Sequence, residues 1–245
     1  MKLSGHKLGL IGYPLGHSFS PKYFSRKFEA LNIADSEYKA YPIEKIEMIE
    51  DVIQTGVTGL NVTIPYKEEV IPFLDELSEE AREIGAVNTI KINEGRKVGY
   101  NTDIYGFEES LKGLLAGAKV ENALILGTGG ASKAVKFVLK KLGINFTIVS
   151  RRKPFLTYEE IGKNIIEDNH LIINTTPLGM APNEEQLPSL PYSELTEKHF
   201  LYDLIYNPEK TLFLKQGELQ GCAIKNGHEM LILQAEKAWD IWNQQ

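Results

Sequence analysis

The chain has 245 residues, 42% hydrophobic and 24% charged, a balance that supports a packed core and excludes a disordered chain. A formal net charge of −6 leaves no global basic footprint for nucleic acid. A single cysteine, Cys222, excludes an internal disulfide framework, fits a cytoplasmic setting and reads as a small apolar core residue.

The N-terminal stretch "MKLSGHKLGLIGYP" has no long apolar run and reads as neither signal peptide nor membrane span. Segment 7–12 is a short strand ended by Tyr13 and Pro14. Segment 20–32 reads as a helix with Ser20 as N-cap, Pro21 at the first position, and Tyr23, Phe24, Phe28 and Leu31 on one face. A strand is expected over 36–42, a helix over 44–53, and a strand over 59–64 with Leu60, Val62 and Ile64 buried. Segments 88–92 and 97–101 flank a hairpin-like "NEGR". The character changes near Asp103. A helix is expected over 103–116, then a strand–helix–strand unit over 122–152. A strand near 170–180, a strand and helix within 199–217, and a helix over 226–242 with Leu231, Ala235, Ala238 and Trp242 in register complete the chain. Repeated βα units predict an α/β fold with parallel sheets, and the length suits two domains.

The segment "LILGTGGAS" places Gly127, Gly129 and Gly130 where a strand meets a helix. Glycine lets the backbone turn sharply and approach a pyrophosphate, and the helix N-terminus offers free N–H groups. About 20 residues on, a unit specific for NAD carries an acid that binds the ribose hydroxyl. This chain has Ser150, Arg151, Arg152 and Lys153 there, which suits a 2′-phosphate and predicts NADP. The five histidines, at 6, 17, 170, 199 and 228, do not pair at metal spacing, so no metal is expected.

Polar side chains also gather at other element ends: Ser18 and Ser20, Asn61, Thr63 and Lys67, Asn88, Asp103, and Gln234, which interrupts the apolar face of the last helix. Singly they have plain readings, as caps, turn residues or solvated side chains. Together with a dinucleotide loop they suggest a site.

The motifs "HSFSP", "NVTIPYK", "GAVNT", "NTD", "GTGGAS", "INTTPLGM", "YDLIYNP" and "NGHEMLILQA" occur in the order found in the shikimate dehydrogenase family, which the chain resembles over essentially its whole length. Phe19, Thr128, Ser150 and Arg152 depart from the usual residues of those motifs. The resemblance implies a substrate domain over 1–102, completed by a C-terminal helix returning over 228–245, and a Rossmann-like NADP-binding domain over 103–227. It implies NADPH-dependent reduction of 3-dehydroshikimate to shikimate, in aromatic amino-acid precursor synthesis, by a monomer or homodimer. Ser18 and Ser20 would then bind the substrate carboxylate, with Tyr206 beside it. Thr63, Asn88, Asp103 and Gln234 would hold hydroxyls, and Lys67 with Asp103 would form the catalytic pair. Gly127, Thr128, Gly129, Gly130, Ala131, Ser132, Ser150, Arg151 and Arg152 would hold NADP(H). Asn174, Thr175, Leu204 and Gly227 would line the nicotinamide side.

Oxidising a secondary alcohol removes a hydride from carbon and a proton from oxygen, so a tuned acid–base group is required. A carboxylate beside Lys67 would position the ammonium and favour the form that donates during reduction. Three other readings are distinguishable: an NAD-dependent quinate/shikimate dehydrogenase, a non-catalytic NADP-binding regulator, and a methylene-tetrahydrofolate dehydrogenase. The basic strand end speaks against the first, Lys67 with Asp103 against the second, and the serine pair with "NTD" against the third.

Overall fold

Two six-stranded sheets organise the chain, each inside its own compact unit. A computed structural model describes residues 5–16 and 18–244. His17 and the first four residues, which figured in the sequence reading, lie outside the described set. One unit comprises the chain through Thr102 together with residues from Ala235 onward; the other runs from Asp103 to Gln234.

In the first unit the elements are β1 (Lys7–Gly12), α1 (Phe19–Ala30), β2 (Glu37–Pro42), α2 (Ile49–Gln54), β3 (Gly59–Val62), β4 (Glu76–Leu77), α3 (Glu79–Ile84), β5 (Thr89–Asn93) and β6 (Arg96–Tyr100). The sheet order is β2-β1-β3-β5-β6-β4. It is mixed, not parallel as expected: β1 pairs parallel with β2 and β3, but β3–β5 and β5–β6 are antiparallel. The β5–β6 pair is a tight hairpin, as the "NEGR" segment suggested. Glu94 and Gly95 both take positive φ, 50° and 82°, which fits a two-residue hairpin turn and reverses the chain.

The second unit contains α4 (Asp103–Leu115), β7 (Asn122–Leu126), α5 (Ala131–Lys141), β8 (Asn145–Ser150), β9 (Leu156–Thr157), α6 (Lys163–Asp168), β10 (Leu171–Asn174), β11 (Phe200–Asp203), α7 (Leu212–Leu219), β12 (Ala223–Lys225) and the start of α8 (His228–Asn243). Its sheet order is β12-β11-β10-β7-β8-β9, with every pair parallel. The interior strands β7 and β10 are continuous apolar runs, as a sheet covered on both faces requires. Cys222 is buried in this unit's core, and burial lifts its thiol to about 11, so it behaves as the small apolar residue expected.

Several expectations need correction. Helix α1 starts at Phe19, so Ser18 holds the N-cap position and Ser20 lies inside the first turn. Because the helix ends at Ala30, Leu31 leaves the apolar face and is 49% exposed; Phe24 and Phe28 carry the packing. The segment 44–53 divides into a 3₁₀ turn over Ile46–Met48 and α2. Strand β3 stops at Val62, and Ile64 is 72% exposed instead of buried.

Helix α8 belongs to both units. Its early residues Met230 and Gln234 pack on Gly106 of α4, where an added Cβ would collide with the Met230 carbonyl. The boundary between the compact units falls at Ala235, inside the helix. From there Ala235, Ala238, Trp239 and Trp242 enter the first unit's aromatic core with Leu8, Phe24, Phe28 and Tyr38. The Trp242 indole donates to the Ile90 carbonyl at 2.9 Å. Lys27 and Tyr23 of α1 both bond Glu236.

Candidate active site

The carboxyl ends of the second unit's strands are aligned by register. Leu126, Val149, Asn174 and Asp203 form one row across β7, β8, β10 and β11. The next residues are therefore Gly127, Ser150, Thr175 and Leu204, four of those assigned to the cofactor from sequence. The order also places β7 between β8 and β10, so the chain leaves β7 and β10 in diverging loops. That is where open α/β sheets bind nucleotides.

Gly127 has φ +109°, and a Cβ there would lie 2.8 Å from the Thr175 hydroxyl. Only glycine suits that turn. Thr175 donates to the Leu126 carbonyl at 2.7 Å, which locks the two loops together. Beyond the turn, Thr128, Gly129, Gly130 and Ala131 are exposed, and a Cβ on Gly129 or Gly130 would meet nothing within 4 Å. Ser132 is buried and donates to the Gly129 carbonyl at 2.7 Å, shaping the loop from behind. Gly130 caps α5, and in the first turn the Ser132 and Lys133 amides donate to the Gly129 and Gly130 carbonyls at 3.0 and 3.1 Å, which tightens the loop onto the helix.

At the end of β8, Ser150 is half-buried and Arg151 and Arg152 are exposed. Lys153 is paired with Glu160, whose carboxylate also accepts from the Thr157 amide at 2.8 Å. Those bonds hold the Glu160 carboxyl at about 2 and keep the basic turn in place. An open glycine cradle and two outward guanidiniums fit a dinucleotide bearing a third phosphate.

On the neighbouring strand β10, Asn174 is fully buried. It donates to Asp203 at 3.0 Å and accepts from Thr176, and thus shapes the 175–178 loop. Asp203, also buried, accepts from Thr211 at 2.6 Å and from the Ile205 amide at 3.0 Å. Burial raises its carboxyl to about 6 despite those donors. The Gly227 amide donates to the Ile205 carbonyl at 3.0 Å, which brings Gly227 beside Leu204; Tyr206 follows, 39% exposed.

The first unit holds a connected polar cluster in its core. Asn61 accepts from the Tyr38 phenol at 2.7 Å and donates to the Asn88 carbonyl and the Thr89 hydroxyl. Asn88 bonds Thr102 through both its amide nitrogen, at 3.0 Å, and its oxygen, which takes the Thr102 amide at 2.7 Å. Tyr38, Asn61, Asn88, Thr89 and Thr102 are all buried. Ser18 donates to the Leu15 carbonyl at a long 3.4 Å.

Two backbone bonds bring further residues to the same strand end. The Thr63 amide donates to Ile11, and a Cβ on Gly12 would collide with the Thr63 methyl group. The Lys67 carbonyl accepts from Val87, next to Asn88, at 2.7 Å. Asp103 follows Thr102 directly and opens α4, while Gly106, one turn on along the same face, carries the Gln234 backbone. Gln234 is buried and donates to Leu231 at 2.9 Å. Tyr38, Thr89, Thr102, Asp203 and Thr211 escaped the sequence reading. Thr102 and Asp203 lie inside quoted motifs, whereas Tyr38 carries no local signal. Among the described residues no group of three or more His, Cys, Asp or Glu could hold a metal ion, and no helix is long and apolar enough to cross a membrane.

A parallel sheet of this order, with a glycine cradle and a basic strand end, defines a dinucleotide-dependent α/β oxidoreductase with a second, polar-cored unit. The family model described as the shikimate dehydrogenase substrate binding domain matches residues 10–90. A shikimate dehydrogenase (NADP(+)) of Methanosphaera stadtmanae is 40% identical, covering 96% of this chain and 90% of that protein. The chain belongs to the shikimate dehydrogenase family. Among solved structures, the Thermus thermophilus shikimate 5-dehydrogenase in complex with NADP(H) and shikimate is 31% identical with a TM-score of 0.85, covering 97% of this chain and 93% of that one. A quinate dehydrogenase from Corynebacterium glutamicum in complex with NAD is 28% identical with a TM-score of 0.89, covering 98% and 94%.

Proposed function

We propose that the chain is an NADP-dependent shikimate dehydrogenase that reversibly reduces 3-dehydroshikimate to shikimate, in aromatic amino-acid precursor synthesis in the cytoplasm. The observation that carries this reading is 40% identity across nearly the whole chain to an NADP-dependent shikimate dehydrogenase. The first unit takes the substrate and the second the dinucleotide. The nicotinamide, when bound, supplies or accepts the hydride.

Lys67 delivers a proton to the ketone oxygen during reduction and removes it during oxidation, and Asp103 keeps that lysine charged and aligned. Ser18 and Ser20, neutral donors on the first turn of α1 and just before it, receive the carboxylate beside Tyr206. Thr63, Asn88, Asp103 and Gln234 hold the ring hydroxyls. Groups built to bond a hydroxyl reject ligands lacking it, because their own polar atoms would go unpaired. The fixed amide of Asn88 supports that role, since Thr102 and Thr89 hold its orientation. The nucleotide occupies the cradle over Gly127–Ser132, Arg151 and Arg152 grip the 2′-phosphate, and Thr175, Leu204 and Gly227 flank the nicotinamide.

The similarity to a quinate dehydrogenase in complex with NAD sustains one second reading, a broader enzyme accepting quinate and NAD. Nicotinamide absorbance with shikimate or quinate crossed with NADP or NAD separates the two. Reduction of NADP by shikimate, with little by quinate or from NAD, is the expected result. Equal rates with quinate and NAD would establish the broader enzyme, and no rate in any combination would overturn both.

A further inference from the structure

We propose that Asp203 is a positioning residue for hydride transfer: its carboxylate sets the spacing of the two loops that flank the nicotinamide, without touching the cofactor. The proposal rests on the shikimate reading above, which puts Thr175 on one of those loops and Leu204 on the other.

The two oxygens of Asp203 have different duties. Oδ1 accepts from the Asn174 side-chain amide at 3.0 Å and from the Ile205 backbone amide at 3.0 Å. Oδ2 accepts from the Thr211 hydroxyl at 2.6 Å. Oδ1 therefore ties the end of β10 to the loop after β11, and Oδ2 ties both to the start of α7, where Thr211 is the N-cap. The tie continues through Asn174. Its amide has one orientation, because its nitrogen faces an accepting carboxylate while its oxygen faces the Thr176 backbone amide, which only donates, at 3.0 Å. That oxygen also accepts from the Thr176 hydroxyl at 2.7 Å. The loop over 175–178 thus hangs on Asp203 through one residue, and the loop over 204–206 hangs on it directly. Gly227 joins through Ile205, whose carbonyl accepts from the Gly227 amide at 3.0 Å.

Asn174, Asp203 and Thr211 are all buried, so the frame acts on the site only through the loops it holds. Bonds to a carboxylate are shorter and stronger than those to a neutral oxygen, and three donors on one buried group leave it no freedom to turn. The register sets Asn174 beside Asp203 on paired strands, so a fault at Asp203 displaces both loops at once. The glycine cradle and the two arginines follow β7 and β8, which are separated from β11 by β10. Losing the frame should therefore loosen the nicotinamide end of the dinucleotide more than its adenosine end. Hydride transfer is sensitive to such misplacement, since a shift of about 1 Å caused by a remote change can cost about 10²-fold.

The test compares Asp203→Ala with Asp203→Asn in shikimate oxidation at about pH 8, above the Asp203 value of about 6, where the carboxylate is ionised. Calorimetry with adenosine 2′,5′-bisphosphate, which carries the 2′-phosphate and lacks the nicotinamide, reads the other end of the site. Asp203→Ala removes all three bonds and is expected to lower kcat/KM for NADP at least about tenfold, with the bisphosphate Kd within about twofold of wild type. Asp203→Asn should recover kcat/KM to within about threefold of wild type: its oxygen accepts from Asn174 and Ile205, and its nitrogen donates to Thr211, whose hydroxyl can do either. An alanine variant within about twofold of wild type would overturn the proposal. A parallel loss of bisphosphate affinity would overturn it too, because the damage would then be general, and so would an asparagine variant as slow as the alanine one. If Asp203→Ala does not fold, Thr176→Val cuts the chain of bonds at its far end while keeping the shape. It is expected to lower kcat/KM for NADP about fivefold, the scale of one lost hydrogen bond, with bisphosphate binding kept; an unchanged kcat/KM refutes the frame. Failure of the wild-type chain to oxidise shikimate would instead remove the functional reading, before any variant is made.

Discussion

Replacing Asp203 with asparagine should change how stability depends on pH. Burial lifts this carboxyl from an ordinary value of 3.8 to about 6. The folded chain thus takes up a proton near pH 6, while the unfolded chain waits until about pH 4. A folded-state value raised in this way contributes stability that is fully present below the unfolded value and lost as pH rises through 6. The whole effect is worth about 3 kcal/mol, and about 1.4 kcal/mol of it develops between pH 7 and pH 5. Tyr192, which the Asp203 charge influences, titrates far above this window and does not interfere. Urea unfolding of wild type and Asp203→Asn at pH 7, 6 and 5 measures the difference directly. The wild type should gain about 1.4 kcal/mol over the variant as pH falls from 7 to 5. A constant difference would show that Thr211, Asn174 and the Ile205 amide keep the carboxylate ionised, and the desolvation argument would fail.

Lys67→Ala should lower kcat by roughly 10²- to 10⁴-fold while shikimate binding, followed by calorimetry, weakens far less; a lost affinity with preserved turnover would remove its acid–base role. Arg151→Ala and Arg152→Ala should each raise the NADP KM about tenfold and leave the NAD KM unchanged in a steady-state comparison, because each removes a charge-assisted bond to the extra phosphate. Gly127→Ala should abolish NADP binding in fluorescence titration and lower stability by on the order of 2 kcal/mol, since φ +109° and the Thr175 hydroxyl both exclude a side chain.

Much of the second unit was legible because its signals are local. A glycine run between an apolar strand and a helix, then arginines after the next strand, can be read within thirty residues or so. The first unit was harder. Helix α3 is six residues long, and its signals are the Ser78 cap, two glutamates and Gly85 in the left-handed conformation at its end; without a long apolar period it went unread. Ile64 looked buried by alternation, but β3 had already ended, and alternation cannot say where a strand stops. Ser20 has the chemistry of an N-cap, yet the helix already begins at Phe19 and Ser18 takes the cap position. Asn174 was placed by motif; the bonds of its amide to Asp203 and Thr176 could not be read from spacing. Partners brought together only by folding leave no mark in local spacing.

The division of helix α8 at Ala235 bears on the order in which the chain can mature. Strand β1 and helix α1 are made well before the residues that close their aromatic core, Ala238, Trp239 and Trp242. The stretch from Asp103 to Gln234 is contiguous and needs nothing from that core to pair its six strands. During synthesis the later-made sheet can therefore assemble while the earlier-made one still lacks its lid of tryptophans. Leu8, Phe24 and Phe28 lack those partners until α8 has been made, and a nascent-chain chaperone would have to shield their segment until then.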